Sequence, residues 1–341
     1  MKKKVLITGS QGFIGSFLCQ ELLAAGYKVV GLDNFSKYGA IKRAHDIHPN
    51  FKLIEGDAKN LVAELFANSE QEYNFDYIIA LAASIGGISY FHTFAYDLFS
   101  ENEGIMKAIY DYSIKHHTVK PLNKVVTISS SMVYESTMSY PSFEGDTNVI
   151  SAPFSSYGRQ KLVCEWWAEA AFAQYKVPYS IVRPFNAVGI GEEKSIKEHD
   201  LTSGNTKMML SHVLPDLIQK CLEGQNPLHI LGEGNQIRCY TNGADIARGI
   251  RLAMEDTNVN QTYNISTPIA TTVLELAEKV WNKINPNLPF EFVSDDAFLY
   301  DVQKRIPNVN KAKELLCFEA EISLDQSIDE VIEYMKARIA K

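Results

Sequence analysis

The sequence predicts an α/β fold, a doubly wound parallel sheet followed by a smaller C-terminal α+β lobe. Three observations carry that prediction. Short apolar runs recur through the first half of the chain without the polar alternation of a half-exposed strand. Segments with helical spacing separate them. A glycine-rich turn joins the first run to the first helical segment. In order, residues 5–7, 29–32, 53–54, 77–81, 125–128 and 179–182 read as strands buried on both faces. Residues 13–25, 61–66, 96–117 and 157–175 read as the helices between them. The alternation breaks after Pro184. Residues 191–207 are charged and without periodicity, which predicts a loop over a site. Helical patterns at 211–223 and 272–285 then alternate with strand-like pieces at 228–231, 263–265 and 290–293, the signature of the later lobe. The expected division gives residues 1–185, with a return segment at about 235–265, to the sheet domain. Residues 186–234 and 266–341 form the lobe, with the cleft between.

The 341 residues carry 33 Lys+Arg and 41 Asp+Glu, a net charge of −8, which argues against nucleic acid and anionic membranes as partners. No apolar run approaches the roughly 18 residues that span a bilayer. Lys2-Lys3-Lys4 leads at once into Thr8-Gly9, with no small-residue cleavage site, so the start does not read as a signal peptide. Five widely spaced cysteines give neither a zinc pattern nor a disulfide framework. The expectation is a reduced, soluble, cytoplasmic protein without a metal.

Gly9-Ser10-Gln11-Gly12-Phe13-Ile14-Gly15 follows a strand and opens a helix, the context a nucleotide fingerprint requires. Gly9 permits the tight turn, Gly12 lets the backbone approach a pyrophosphate, and Gly15 lets the helix pack close to the strand. The pyrophosphate then meets backbone N–H groups at the helix N-terminus. Asp33 ends the second strand, 18 positions beyond Gly15. A carboxylate there accepts from both ribose hydroxyls and repels a 2′-phosphate, which favours NAD over NADP; Asp33-Asn34 also suits an ordinary turn. Gly56-Asp57 is a candidate adenine contact on the same logic.

Tyr157 and Lys161 stand four apart on a helical pattern and so share one face. A phenol is a poor base at neutral pH, but an ammonium and an oxidised nicotinamide beside it would favour the phenolate. That phenolate could take the proton of a sugar hydroxyl as hydride leaves the same carbon. The alternative is a solvated helix face. Ser129-Ser130-Ser131-Met132-Val133-Tyr134 follows a strand whose end faces the cleft, where a hydroxyl could donate to the reacting oxygen.

With these residues in view, the chain resembles the extended short-chain dehydrogenase/reductase family nearly end to end, in particular its NAD-dependent sugar-nucleotide epimerases and dehydratases. Further markers are Ala82-Ala83, Asn102, Arg183-Pro184-Phe185-Asn186, the stretch from Gly232 to Arg238, Asp245, and Arg305 before Pro307-Asn308. The resemblance implies a Rossmann-type domain, tightly held NAD, a nucleoside diphosphate (NDP) sugar as substrate, and a homodimer paired through the helices at 96–117 and 157–175. Implied cofactor contacts are Gly9, Gln11, Gly12, Phe13, Ile14, Gly15, Asp33, Asn34, Asp57, Ala58, Leu81, Ala82, Ala83, Asn102, Ser129, Tyr157, Lys161 and Pro184. Implied substrate contacts are Ser84, Gly86, Gly87, Ser130, Ser131, Met132, Asn186, Arg238 and Arg305, with Asn186 and the two arginines on the diphosphate. The Ser84–Gly87 loop is closer to GDP-sugar epimerases than to UDP-galactose epimerases.

The family's shared first step oxidises carbon 4 to a ketone. The implied roles are base for Tyr157, relay for Ser130 and nicotinamide-ribose holder for Lys161. Dehydratases then use an Asp and a Glu where this chain has Ser131 and Met132, and 3,5-epimerases use a cysteine in place of Met132. Methionine transfers no proton, which leaves epimerisation at carbon 4. The alternatives are a 4,6-dehydratase, a 4-dehydrogenase, or a catalytically silent NAD-sensing regulator. His92, Glu135, Cys164 and the loop at 192–207 are left without a role.

Overall fold

The computed structural model describes residues 2–67, 74–85, 94–192, 202–203, 206–207, 212–296 and 302–339. Seven parallel strands form the main sheet: β1 (Lys4–Thr8), β2 (Lys28–Asp33), β3 (Phe51–Glu55), β4 (Tyr77–Ala80), β5 (Lys124–Ile128), β6 (Tyr179–Pro184) and β8 (Gln261–Ile265). Their order is β8-β6-β5-β4-β1-β2-β3. The predicted doubly wound α/β architecture is therefore present, and every residue of β4, β5 and β6 is buried. The strand-like piece at 263–265, within the return segment expected at about 235–265, is the tail of β8. It pairs with β6 from Gln261 opposite Ser180 to Ile265 opposite Pro184.

Side chains leave each strand alternately to two helical layers. Val5 and Ile7 of β1 pack with α1 (Phe13–Ala24) and α6 (Gly243–Glu255). Leu6 between them joins the opposite core, built on α2 (Leu61–Ala67), α3 (Ala95–Val119) and α4 (Ser156–Tyr175). The lobe has its own core. There α5 (Val213–Leu222), α7 (Val273–Ile284) and α9 (Leu324–Ile339) close on β7 (Leu228–Leu231), which pairs in parallel with β9 (Phe292–Asp295). A short helix α8 (Asn310–Leu316) leads back toward β8. The sequence did not indicate α6, α8 or α9. Of the expected loop at 191–207, residues 202–203 pair antiparallel with 206–207.

Candidate active site

The glycine-rich turn crosses from β1 to α1 with Gly9 at φ +78°. A Cβ on Gly15 would stand 2.1 Å from the Gly9 carbonyl oxygen, so the helix touches the turn through bare backbone. Gly12 is the N-cap residue of α1 and supplies no side-chain cap. The helix thus presents backbone N–H groups and positive dipole to whatever lies over the turn, which fits a pyrophosphate. Asp33 ends β2 beside it. One carboxylate oxygen accepts from the Gln11 N–H at 2.9 Å and the other from the Phe35 N–H at 2.8 Å. Burial pushes this carboxyl above the usual range, and these N–H groups oppose the shift. Two N–H groups fix the carboxylate's orientation while its remaining lone pairs can take ribose hydroxyls.

Other expected cofactor residues have more local duties. Asn34 accepts the Ser36 N–H and Asp57 the Lys59 N–H, so both side chains shape turns. Phe13 is buried, edge-on to Phe17. Thr8, which no motif singles out, accepts from the Leu81 and Ala82 N–H groups and fixes the strand end at Leu81-Ala82-Ala83. Asn102 sits beneath the chain that leaves β4. It is buried and grips the Ser84 backbone from both sides, accepting from its N–H at 2.6 Å and donating to its carbonyl at 3.0 Å. The Ser129 hydroxyl turns inward and donates to the Glu165 carboxylate. Gly86, Gly87 and His92 lie outside the described residues, as does most of the loop at 192–207.

The expected catalytic residues converge at the end of β5. Ser130 caps the short turn Ser131–Tyr134, accepting from the Met132 N–H at 3.2 Å. That turn abuts the first turn of α4: a side chain on Gly158 would meet the Met132 carbonyl at 2.8 Å. Tyr157 therefore opens its helix beside the serine turn. Lys161, one turn on, is buried; its ammonium donates to the Ile128 carbonyl at 3.0 Å and lies 5.9 Å from the Tyr157 ring centre. Ser131 and Met132 are buried in the turn, and Pro184 ends β6 next door.

Two of the three unassigned groups can be placed. Glu135 accepts the Ser155 N–H at 2.7 Å and so braces the start of α4. Cys164 receives a contact from the Gln160 amide at 2.8 Å, and burial pushes its thiol up to about 11, as suits an inert packed group.

Beyond β6, Asn186 adopts φ +33°, and its amide nitrogen is buried without a hydrogen-bond partner. A buried donor left open at a cleft is a place for an acceptor such as a phosphate oxygen. Arg238 and Arg305 come from neighbouring stretches: the Arg305 N–H donates to the Ile237 carbonyl, and the buried Arg238 guanidinium to the Ile237 and Gln303 carbonyls. Beside them an open cavity of about 520 Å³ is lined by Gly232, Glu233, Gln236, Asp295 and Gln303.

A glycine-cradled helix N-terminus, an aspartate at the end of the second strand and a Ser–Tyr–Lys cluster at parallel strand ends fit a dinucleotide-dependent enzyme of the short-chain type. The sequence profile of the NAD dependent epimerase/dehydratase family matches residues 5–266, and the chain belongs to that family. Its cofactor is NAD. Along 98% of both chains it is 27% identical to a UDP-N-acetyl-alpha-D-glucosaminuronate decarboxylase of Bacillus cytotoxicus. It is 26% identical to the UDP-glucuronic acid decarboxylase 1 of Danio rerio, over 99% of this chain and 74% of that one. Among solved structures it superposes on the UDP-glucose 4-epimerase of Thermotoga maritima with a TM-score of 0.80, at 24% identity over 98% and 99% of the two chains. Among the described residues no helix is long and apolar enough to cross a membrane, and no group of His, Cys, Asp and Glu could hold a metal ion.

Proposed function

We propose that the protein oxidises carbon 4 of a UDP-sugar to a transient ketone and returns the hydride to the opposite face, which makes it a 4-epimerase. The observation that carries this reading is the cluster of Ser130, Tyr157 and Lys161 at the end of β5 with Met132 buried beside it. Tyr157 takes the carbon 4 hydroxyl proton, Ser130 donates to the same oxygen, and Lys161 holds the tyrosine and the cofactor ribose in register. NAD supplies the hydride acceptor and donor. Asn186, Arg238 and Arg305 bind the diphosphate, with paired guanidinium groups suited to its charge. Met132 moves no proton, so nothing in the turn drives loss of water, and the ketone is left to be reduced.

A second reading comes from the full-length similarity to decarboxylases of UDP-uronates. If the sugar carries a carboxylate at carbon 5, a ketone at carbon 4 makes it a β-keto acid. Carbon dioxide then leaves without a further base, the electron pair of the broken bond passes into the carbon 4 enolate, and carbon 5 takes a proton from water before the hydride returns. One experiment separates the two. The purified protein is incubated with UDP-glucose, UDP-N-acetylglucosamine and the two corresponding uronates in deuterated water, and products are read by mass spectrometry and proton NMR. An isomer of unchanged mass without deuterium supports the epimerase. Loss of carbon dioxide from the uronates, with one deuterium at carbon 5 in place of the carboxylate, assigns the decarboxylase, whereas loss of water, or deuterium at carbon 3 or 5 in a product that keeps all its carbons, sinks both. A homodimer through the outer faces of α3 and α4 fits the exposure of Tyr96 (82%) and Trp166 (56%) on these helices. Sedimentation of a Trp166→Asp variant, expected to be monomeric, tests it.

A further inference from the structure

Glu165 lies two turns beyond Tyr157 and one beyond Lys161 on α4, and it is buried with 3% of its surface exposed. One carboxylate oxygen accepts from the Ser129 hydroxyl and from Nε of Arg183, the latter at 2.8 Å. The other accepts from Nη2 of Arg183 at 2.6 Å. Arg183, 2% exposed in β6, is satisfied completely. Beyond the two bonds to Glu165, its Nη1 donates to the Tyr134 hydroxyl and the Glu144 carbonyl, and its Nη2 to the Thr147 hydroxyl. A guanidinium has five N–H donors, and all five are used here. Tyr134 in turn donates to Asn264 of β8. A buried pair this fully bonded holds its geometry tightly, because removing any member strands a charge or a donor.

What the pair holds is the cleft. Ser129 immediately precedes Ser130, and its hydroxyl also reaches the Lys161 carbonyl at 3.5 Å. Ile128, one residue earlier, receives the Lys161 ammonium. Arg183 immediately precedes Pro184 and stands three residues before Asn186. The strand end bearing the serine, the helix bearing the tyrosine and lysine, and the strand leading to Asn186 all end on one ion pair.

We infer that Glu165 is a positioning residue, which with Arg183 and Ser129 locks the end of β5 against α4 and sets Ser130 and Lys161 in register with Tyr157. This rests on the proposed hydride chemistry only for its kinetic test. Glu165→Gln leaves the Arg183 charge buried and unbalanced, so loss of folded protein is expected and decides little alone. Ser129→Ala is the informative change, because it removes one hydroxyl and leaves the ion pair intact. The expected result has three parts: a melting temperature like that of the parent protein, an unchanged KM for the UDP-sugar, and a kcat lowered about ten- to a hundredfold, the cost of a small misplacement. NAD affinity, measured by calorimetry without any sugar, should fall severalfold as Lys161 loses its seat, and Ser129→Thr should restore both. Parent-like kcat and NAD affinity in Ser129→Ala would overturn the inference, as would losses that Ser129→Thr fails to recover. If the unaltered protein turns over no UDP-sugar, the proposed function has failed, and the NAD titration still decides the positioning role.

Discussion

Gly15→Ala tests the cofactor cradle most sharply, because its effect can be worked from the coordinates. The new methyl would lie 2.1 Å from the Gly9 carbonyl oxygen and 3.0 Å from the carbonyl carbon and oxygen of Ser10. All three are backbone atoms, and Cβ contacts below 3.0 Å are essentially never seen, so the gap must open by about 0.9 Å. The turn cannot retreat. Gly9 is tied to the Leu32 carbonyl at 2.7 Å, and on its other side even a methyl would come within 2.9 Å of the Ala82 Cα. The helix has little room either, since Phe17 on α1 already lies where a Gly243 side chain would stand, at 2.5 Å. Overpacking of this kind costs about 1–3 kcal/mol of stability. A displacement near 1 Å also stretches an N–H···O bond of about 2.9 Å beyond hydrogen-bonding range. Losing one such bond to a charged phosphate costs about 1.5–3 kcal/mol, or ten- to a hundredfold in NAD affinity. Calorimetric melting of cofactor-free protein and NAD titration measure the two effects separately. Gly12→Ala is the control. Its methyl would lie 3.3 Å from the Gly9 oxygen, which needs a shift of only a few tenths of an ångström, so it should keep its melting temperature and lose NAD alone. A Gly15→Ala protein that melts and binds NAD like its parent would refute the argument.

Asp33→Asn should weaken NAD at least tenfold and narrow the preference over NADP, because an amide neither accepts from two hydroxyls nor repels a phosphate; unchanged titrations of both dinucleotides would contradict the ribose assignment. Asn186→Asp puts a negative charge where a buried donor stands open and should lower UDP affinity more than tenfold, with the deficit shrinking at high salt. Tyr157→Phe should abolish turnover while leaving NAD binding and melting temperature in place, and retained turnover would remove the tyrosine from the chemistry. His116 makes a pH prediction. It is fully buried, its Nε2 accepts the Phe75 N–H at 3.0 Å, and burial lowers it from 6.5 to about 4. The unfolded chain therefore takes up the proton first as pH falls, so stability is complete above about 6.5 and drains toward 4. Urea unfolding should show a loss of about 2 kcal/mol from this group by pH 5, absent in His116→Gln.

The parallel sheet was legible because each central strand is an unbroken apolar run, which no amphipathic helix of similar length imitates. The helix α6 was not, for a physical reason. Its sequence, GADIARGIRLAME, opens on one glycine and carries another at Gly249, residues that disfavour a helix locally. Both are needed by packing: Phe17 crosses Gly243, and a side chain at Gly249 would meet Ile265 of β8 at 2.4 Å. Helix and strand thus specify each other over a dozen residues, a contact that no local window contains. At the site the same division holds. Glycines, aspartate, tyrosine and lysine announce themselves through spacing, and Asn102 and Arg183 through the family resemblance, whereas Thr8 and Glu165 act by touching residues far along the chain. One trace of them was in reach: positions 157, 161 and 165 form an i, i+4, i+8 stripe, and an acidic third member aligned with two reactive ones is odd on a helix face packed against a sheet.

That stripe also bears on the fate of the ketone. On the proposed reading, the groups that make the ketone sit on strand ends held against α4, whereas the next step depends on what faces carbons 5 and 6 of the sugar. On that same reading, the residue that the serine turn brings there is Met132, which moves no proton. If no acid or base serves carbons 5 and 6, the substrate itself sets the outcome: a hexose ketone has only hydride return open to it, whereas a uronate ketone can lose its carboxylate. A single protein could return the first as its epimer and release carbon dioxide from the second. The ratio of those products from paired hexose and uronate substrates measures how fast hydride returns relative to loss of the carboxylate. A variant that slows hydride return, Ser129→Ala among them, should raise the decarboxylated share with uronates while lowering turnover of hexoses.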